Sequence, residues 1–360
     1  MESSWTKDDE IELFSEGDTF PRPRYNCPAA FLEGYDTALR ASGSTNGIMK
    51  YGSDYVSNPG YESGYRNFHK RNIELYEWIH NHFDDKTPVG VRVYESMKKI
   101  SDSIPYMKTS EGIDFLDSFF SRSARALSYN AIPTVYEGSG ITGIVFDENA
   151  RHLENNAFDN GLIIDIIAAE ILTSKGIDTG IKSIGEKIKA WNSKEYFYST
   201  KNNIRTLDTY INEVVISENA KVLSVLKKDG KEYPMSYLYE NANGQRFLVF
   251  TINSRISKDA FRSYERNRQI AESVEWLSGN KLIAHVNNNP ALYMICKEGK
   301  GKLVIGLWNF FEDVAIEPIV DLSKQYNKVE CFGGSAKLVG DRIILSDIPA
   351  FGFIGIELTE

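Results

Sequence analysis

Two short runs, Ile11-Glu12-Leu13-Phe14-Ser15-Glu16-Gly17-Asp18 and Gly47-Ile48-Met49-Lys50-Tyr51-Gly52-Ser53-Asp54-Tyr55, decide how the chain begins to fold. Each passes from apolar residues to ionisable ones. Between them, Ala29 to Arg40 reads as a helix, started near Pro28 in Asn26-Cys27-Pro28 and broken by Ser42-Gly43-Ser44-Thr45-Asn46-Gly47. Strand, helix and strand, with acids and bases at the strand ends, is how a (β/α) barrel presents catalytic groups.

Outward from that stretch, Ser57-Asn58-Pro59-Gly60 is a turn. Tyr65, Phe68, Leu75, Tyr76, Ile79 and Phe83 recur mostly three or four apart, which predicts one amphipathic helix over 62–83. The polar break Asp84-Asp85-Lys86-Thr87-Pro88 marks a domain boundary. Strands are expected at Val89 to Tyr94, Ile132 to Val135, Ile141 to Phe146 and Gly161 to Asp165, and helices over 111–128 and from Ile166 to Ser174, the latter ended by Gly176. That alternation predicts a mostly parallel α/β sheet. From about 195 strands dominate: Val222 to Leu226, Tyr237 to Tyr239 and Arg246 to Ile252, with hairpin turns at Lys228-Asp229-Gly230 and Asn241-Ala242-Asn243-Gly244. A helix near 260–277 stops at Ser278-Gly279-Asn280, and 281–360 reads as a small antiparallel β domain. The expected fold class is therefore α/β plus β. The expected domains are 1–85, 86–280 with a β-rich insertion, and 281–360.

The totals fit a soluble globular protein: 360 residues, 42% hydrophobic and 25% charged. A net charge of −9 and a pI near 5.3 argue against nucleic acid as a partner, since phosphate binding needs clustered Lys and Arg. Cys27, Cys296 and Cys331 are odd in number and far apart, which fits a reduced compartment better than a disulfide framework. Residues 1–10 hold no apolar signal segment, and the longest apolar run, Leu162 to Ala169, is interrupted by Asp165 and too short to span a bilayer. A cytoplasmic protein without a membrane partner is expected.

Glu16 follows Leu13-Phe14 at a strand end. Glycoside hydrolysis needs two carboxyl groups flanking the scissile bond, about 5–5.5 Å apart in the retaining mode. Glu16 is either one of them or a salt-bridged surface residue. Arg22 and Arg24, in the Pro-flanked Pro21-Arg22-Pro23-Arg24-Tyr25, either hold a carboxylate and sugar hydroxyls or pair with local acids such as Asp18. Lys50, Tyr51, Asp54 and Tyr55 either line a pocket or form a buried Lys–Asp pair. A nucleophile elbow is missing: residues 86–280 contain no Cys, and Gly138-Ser139-Gly140 is not a G-x-S-x-G motif. No glycine-rich nucleotide loop occurs, so no cofactor is expected. His80 and His82, two apart on a helix, face different ways, so no metal is expected either.

The run Phe14-Ser15-Glu16-Gly17-Asp18-Thr19-Phe20-Pro21-Arg22-Pro23-Arg24, then Leu39-Arg40-Ala41 and Gly47-Ile48-Met49-Lys50-Tyr51, resembles the last two strands of the catalytic barrel in family 42-type β-galactosidases and related clan A glycoside hydrolases. Leu303-Val304-Ile305-Gly306-Leu307-Trp308-Asn309 and Phe351-Gly352-Phe353 resemble that family's terminal β domain. The resemblance implies the end of a (β/α)8 barrel, an amidotransferase-like α/β domain without its nucleophile that mediates trimerisation, and a C-terminal β-sandwich. It implies retaining hydrolysis of a β-galactoside-type carbohydrate, with Glu16 as nucleophile and Arg22, Arg24, Lys50, Tyr51 and Asp54 at the substrate. The acid/base belongs after the fourth barrel strand, for which these residues have no counterpart. The chain by itself is thus expected to be inactive, with an N-terminal barrel fragment or further copies of the chain as partners. The alternative is a non-catalytic oligomerisation or carbohydrate-binding protein.

Overall fold

The computed structural model describes residues 1–18, 26–51, 59–99, 120–138, 140–257 and 259–360, which form two units: 1–89 together with 283–360, and 90–282. The first unit begins with a short helix α1 (Glu2–Trp5), strand β1 (Phe14–Gly17), helix α2 (Ala29–Ser42) and strand β2 (Gly47–Lys50). β1 and β2 pair in parallel, Phe14 opposite Gly47 and Gly17 opposite Lys50, with α2 as the crossover that a parallel pair requires. Gly43 closes α2 at φ +68, its N–H returning to the Leu39 and Arg40 carbonyls. Instead of one helix over 62–83 there are two, α3 (Pro59–Arg71) and α4 (Ile73–Phe83). Asn72 leaves the helical conformation between them, and its side chain donates to Glu33 Oε2 at 3.1 Å. A tertiary hydrogen bond has overridden a continuous apolar period.

The strand expected at 89–94 divides between the units. Strand β3 (Thr87–Pro88) and the Val89 N–H pair with residues 296–298, whereas β4 (Val91–Val93) belongs to the second unit. There it is followed by α5 (Arg122–Ser128), β5 (Thr134–Val135), β6 (Gly143–Val145), β7 (Leu162–Ile164), α6 (Ile166–Ser174), β8 (Ile181–Lys189), β9 (Lys194–Phe197), β10 (Asn203–Arg205), β11 (Tyr210–Ile216), β12 (Lys221–Lys228), β13 (Lys231–Glu240), β14 (Arg246–Phe250) and α7 (Tyr264–Ser278). Strands β5-β4-β6-β7-β14 are parallel; β13, β12, β9 and β10 extend the same sheet antiparallel, and β8 pairs with β11 apart from it. Both faces of the parallel part are covered. Ile144 and Ile163 enter one apolar cluster, Val145, Leu162 and Ile164 the other, which is why these strands read as unbroken apolar runs. On the antiparallel side a fully buried Arg266 meets Glu195 at 2.8 Å, between the Phe197 and Phe250 rings.

Asp165 stands at the carboxyl edge of the parallel strands. It caps α6 through the Ala168 N–H (2.9 Å), accepts the Asp147 N–H (3.0 Å) and takes the Ser254 hydroxyl (2.6 Å). The position that joins a strand to a helix is thus filled by a bonded carboxylate. Complete burial pushes its pKa up to about 6, opposed by the Ser254 bond and reinforced by the Asp147 charge.

The first unit resumes with β15 (Ala284–Val286), β16 (Tyr293–Gly299), β17 (Lys302–Trp308), β18 (Ile319–Leu322), β19 (Lys328–Phe332), β20 (Ala336–Val339), β21 (Arg342–Leu345) and β22 (Phe353–Thr359). They form a five-stranded sheet β19-β22-β17-β16-β3 and a four-stranded sheet β15-β18-β21-β20. Helices α2 and α4 bury Ala41, Ile79 and Phe83 against Val304 and Trp308 of the larger sheet. Gly306 and Gly355 lie opposite each other and make the floor for this contact: a Cβ on Gly355 would stand 2.2 Å from the Trp78 ring. The fold is mixed α/β with several sheets, and among the described residues no sheet closes into a barrel. Among them, too, no helix is long and apolar enough to cross a membrane.

Two outcomes are expected. Gly355→Ala should destabilise the first unit by about 1–3 kcal/mol through overpacking against Trp78, read as a lower denaturant midpoint at unchanged slope. For Asp165 the folded pKa lies above the unfolded value. Its contribution is therefore complete below about pH 4 and is lost as pH rises through 6. Asp165→Asn keeps an acceptor for both N–H groups, so its stability relative to wild type should rise across that window. Asp165→Ala, which loses the cap, should cost about 1–3 kcal/mol in the same titration.

Candidate functional site

Alternation along β1 and β2 sorts the ionisable residues onto two faces. Ser15, Gly17 and Lys50 face α2: the Ser15 hydroxyl bonds Tyr35, and a Cβ on Gly17 would stand 3.1 Å from Leu32. Phe14, Glu16 and Met49 face the other way, where Phe14 is 54% and Met49 57% exposed. Glu16, opposite Met49 in register, is exposed at the carboxyl end of β1. Tyr51, one residue past β2, donates its hydroxyl to Glu16 Oε1 at 3.2 Å, while its backbone N–H bonds the Gly17 carbonyl. A donor on that oxygen orients the carboxylate.

Lys50 goes into the helix layer. Its ammonium donates to Glu33 and to Asp36 Oδ2 (2.7 Å), and lies 2.9 Å from His69 Nδ1 and 3.0 Å from the Tyr76 hydroxyl. Three protons thus face four acceptors. Tyr76 reaches Glu33 at 2.5 Å and Asp36 at 2.8 Å, and Arg40 Nε reaches Asp36 Oδ1 at 2.8 Å. Burial acts to raise the Asp36 pKa. The Lys50 bond and charge, with Tyr76 and Arg40, outweigh it and hold the carboxyl below the usual range. Burial, then the bonds and charges of Glu33 and Asp36, pushes the Tyr76 hydroxyl up.

Ligand atoms of Glu33, Asp36 and His69 come within 4.8 Å of one another, a spacing suited to a cation. The Lys50 ammonium already sits among them and supplies the positive charge, so a divalent ion would have to displace it. His80 pairs with Asp84 and His82 with the Trp78 carbonyl (2.7 Å). The Lys50 network has a sequence signal that periodicity concealed: Glu33 and Asp36 fall three apart on α2, on the face where a helix packed on a strand would be apolar. Of the residues expected at the site, the structure joins Glu16 to Tyr51 and sets Lys50 on the opposite face of the sheet. Arg22, Arg24 and Asp54, like Ser139, lie outside the described residues.

No family model matches the sequence, and no curated protein does. Solved structures do match in fold. An α-L-fucosidase, isoenzyme 2 from Paenibacillus thiaminolyticus, superposes with a TM-score of 0.60 over 99% of this chain and 62% of its own, at 7% identity. The fold is glycoside-hydrolase-like. A β-galactosidase from Bacillus circulans sp. alkalophilus gives 0.52 over 92% of this chain and 52% of its own, at 12% identity. A family 42 β-galactosidase from G. stearothermophilus gives 0.51 over 92% and 51%, at 11% identity. The chain therefore spans between about half and three-fifths of the length of these chains.

Lys50→Met should leave Glu33 and Asp36 buried without their cation, at a cost of about 3–5 kcal/mol near neutral pH. Asp36 has a depressed folded pKa. Its stabilisation is present above about pH 4 and is lost as pH falls through the folded value. Denaturation curves of wild type and variant should thus converge on acidification.

Proposed function

We propose that this chain carries the nucleophile part of a retaining glycoside hydrolase acting on β-galactoside-type carbohydrates, with Glu16 as the nucleophile. The observation that carries this reading is the placement of Glu16: at the carboxyl end of a parallel strand, on the face away from the crossover helix, with the Tyr51 hydroxyl on Oε1. In a barrel that is the end of the strand where catalytic groups stand. The fold likeness to two β-galactosidases and a fucosidase supports it.

In the reaction, Glu16 attacks the anomeric carbon and the C–O bond to the leaving group breaks. The leaving oxygen takes a proton from a second carboxyl group. Water, deprotonated by that same group, then displaces Glu16. The second carboxyl would come from barrel strands that pair with the outer edges of β1 and β2, supplied by a longer form of the chain or by a separate polypeptide. Arg22, Arg24 and Asp54 would hold sugar hydroxyls. The second unit, whose parallel order β5-β4-β6-β7-β14 suits an amidotransferase-like domain without its nucleophile, would mediate trimerisation.

The exposure of the apolar Phe14 and Met49 on one face favours a second reading, in which the β1–β2 pair is an assembly surface and the protein is non-catalytic. Chemical trapping separates the two. In the native assembly isolated through this chain, a 2-deoxy-2-fluoro-galactosyl fluoride should lose its anomeric fluoride and add a 2-deoxy-2-fluoro-galactosyl mass to the peptide bearing Glu16, and Glu16→Gln should abolish label and turnover. Tyr51→Phe should lower turnover by about 10–100-fold, the worth of a hydrogen bond to a charged group. Label on another carboxylate, or full turnover by Glu16→Gln, would remove Glu16 from the nucleophile role. A plain monomer in sedimentation at micromolar concentration would count against the trimer.

A further inference from the structure

Trp191 lies in the second unit and is 57% exposed, which is unusual for so large an apolar ring. Strand alternation accounts for its direction. Ile188 and Ala190 turn inward to the core cluster around Ile211 and Leu226, so Lys187, Lys189 and Trp191 turn outward. The turn that carries the ring is tightly held. Ala190 N–H bonds the Thr209 carbonyl at 2.8 Å and Asn192 N–H the Thr206 carbonyl at 3.1 Å. The Thr206 hydroxyl bonds the Ala190 carbonyl, the Arg205 guanidinium bonds the Asn192 side chain, and Asn192 takes φ +58. The backbone that carries the ring is thus held in place before any ligand arrives, which lowers the entropic cost of binding.

Lys189, Trp191 and Lys228 line one open surface cleft of about 420 Å³. The Lys189 ammonium stands 5.6 Å from the centres of both the Trp191 and Tyr210 rings, and the Lys228 ammonium donates to the Lys189 carbonyl at 2.7 Å. One ammonium thus stands over the indole, and a second lines the same cleft. The surrounding segment is unusual for this protein: residues 181–232 hold ten Lys and Arg against seven Asp and Glu, in a chain with a net charge of −9. One of those seven, Glu195, is buried against Arg266. The remaining surface charge favours an anion here.

We infer that this cleft binds an acidic carbohydrate, one pyranose ring lying on the Trp191 indole and its carboxylate or sulfate held by Lys189 and Lys228. An indole offers a flat apolar surface to the C–H face of a sugar, and an ammonium beside it rewards a negative substituent. A long polyphosphate fits less well, because it needs an extended basic track and a series of stacking rings. The inference does not depend on Glu16 being a nucleophile, since it concerns another unit and is read by binding.

The test titrates the full chain with tri-galacturonic acid and, in parallel, with neutral galactotriose and a short single-stranded oligonucleotide, by calorimetry and indole fluorescence. The expected result is saturable binding of the acidic trisaccharide that weakens as salt is raised, with the neutral sugar bound at least about tenfold more weakly. Trp191→Ala and Lys189→Ala should each weaken it by about tenfold, and Trp191→Phe by less, with unchanged thermal melting because both side chains are exposed. Glu16→Gln should bind like wild type. Absence of saturation on the order of 10 mM ligand, equal binding of the neutral sugar, tighter binding of the oligonucleotide, or binding unaltered in Trp191→Ala would each overturn the inference.

Discussion

The ammonium of Lys50 is the constraint on which the N-terminal part of the first unit depends. Helix α2 buries two carboxylates, Glu33 and Asp36, on the side it turns to its neighbours. Buried charge of that kind persists only with a cation and a full set of hydrogen bonds. Lys50 supplies the cation from the end of β2, and Tyr76, Asn72 and Arg40 complete the bonding from α4, the α3–α4 junction and α2 itself. The same network therefore fixes β2 against α2, interrupts the helix at Asn72 and sets the end of the β1–β2 pair where Glu16 and Tyr51 meet.

Helix α2 also reaches the C-terminal sheet. Thr37, one residue past Asp36, accepts the Trp308 indole N–H at 2.9 Å, and Ala41 joins the apolar cluster of Ile79, Phe83 and Val304. The Gly306–Gly355 pair lets aromatic rings lie directly on that sheet. One helix thus packs on a parallel strand pair with polar bonds and on an antiparallel sheet with apolar contacts, which ties together segments more than 200 residues apart in sequence. The second unit uses a comparable device. At the edge where open α/β sheets bind ligands, Asp165 gathers donors from three segments and fills the strand–helix junction.

Much of the fold was legible because it rests on local chemistry. Helix Ile166–Ser174 was readable to the residue, bounded by Asp165 at its N-cap and a glycine at φ +84 beyond its end. The hairpin at Asp229-Gly230 was readable because both residues take positive φ, as its turn type requires. Two features were not legible. The break at Asn72 arises from a bond to Glu33, 39 residues away. The strand at 89–94 divides because its first residues pair with β16, about 200 residues further on. At the candidate site, Glu16 and Tyr51 could be singled out from strand-end position, but not their contact across the pair, nor the turn of Lys50 to the opposite face.

The sequence by itself determined where many of the elements start and stop, the glycine-dependent turns, the class of mixed α/β followed by antiparallel β, and the presence of ionisable groups at two strand ends. These follow from periodicity, caps and turn chemistry, which act within a few residues. Only the tertiary structure decided which of those groups share a face, that the first and last segments pack into one unit, and that Lys50 neutralises α2 while Tyr51 holds Glu16. Such outcomes depend on burial and on partners distant in the chain: a carboxylate placed beside an ammonium or beside water has the same sequence, and only packing distinguishes the two.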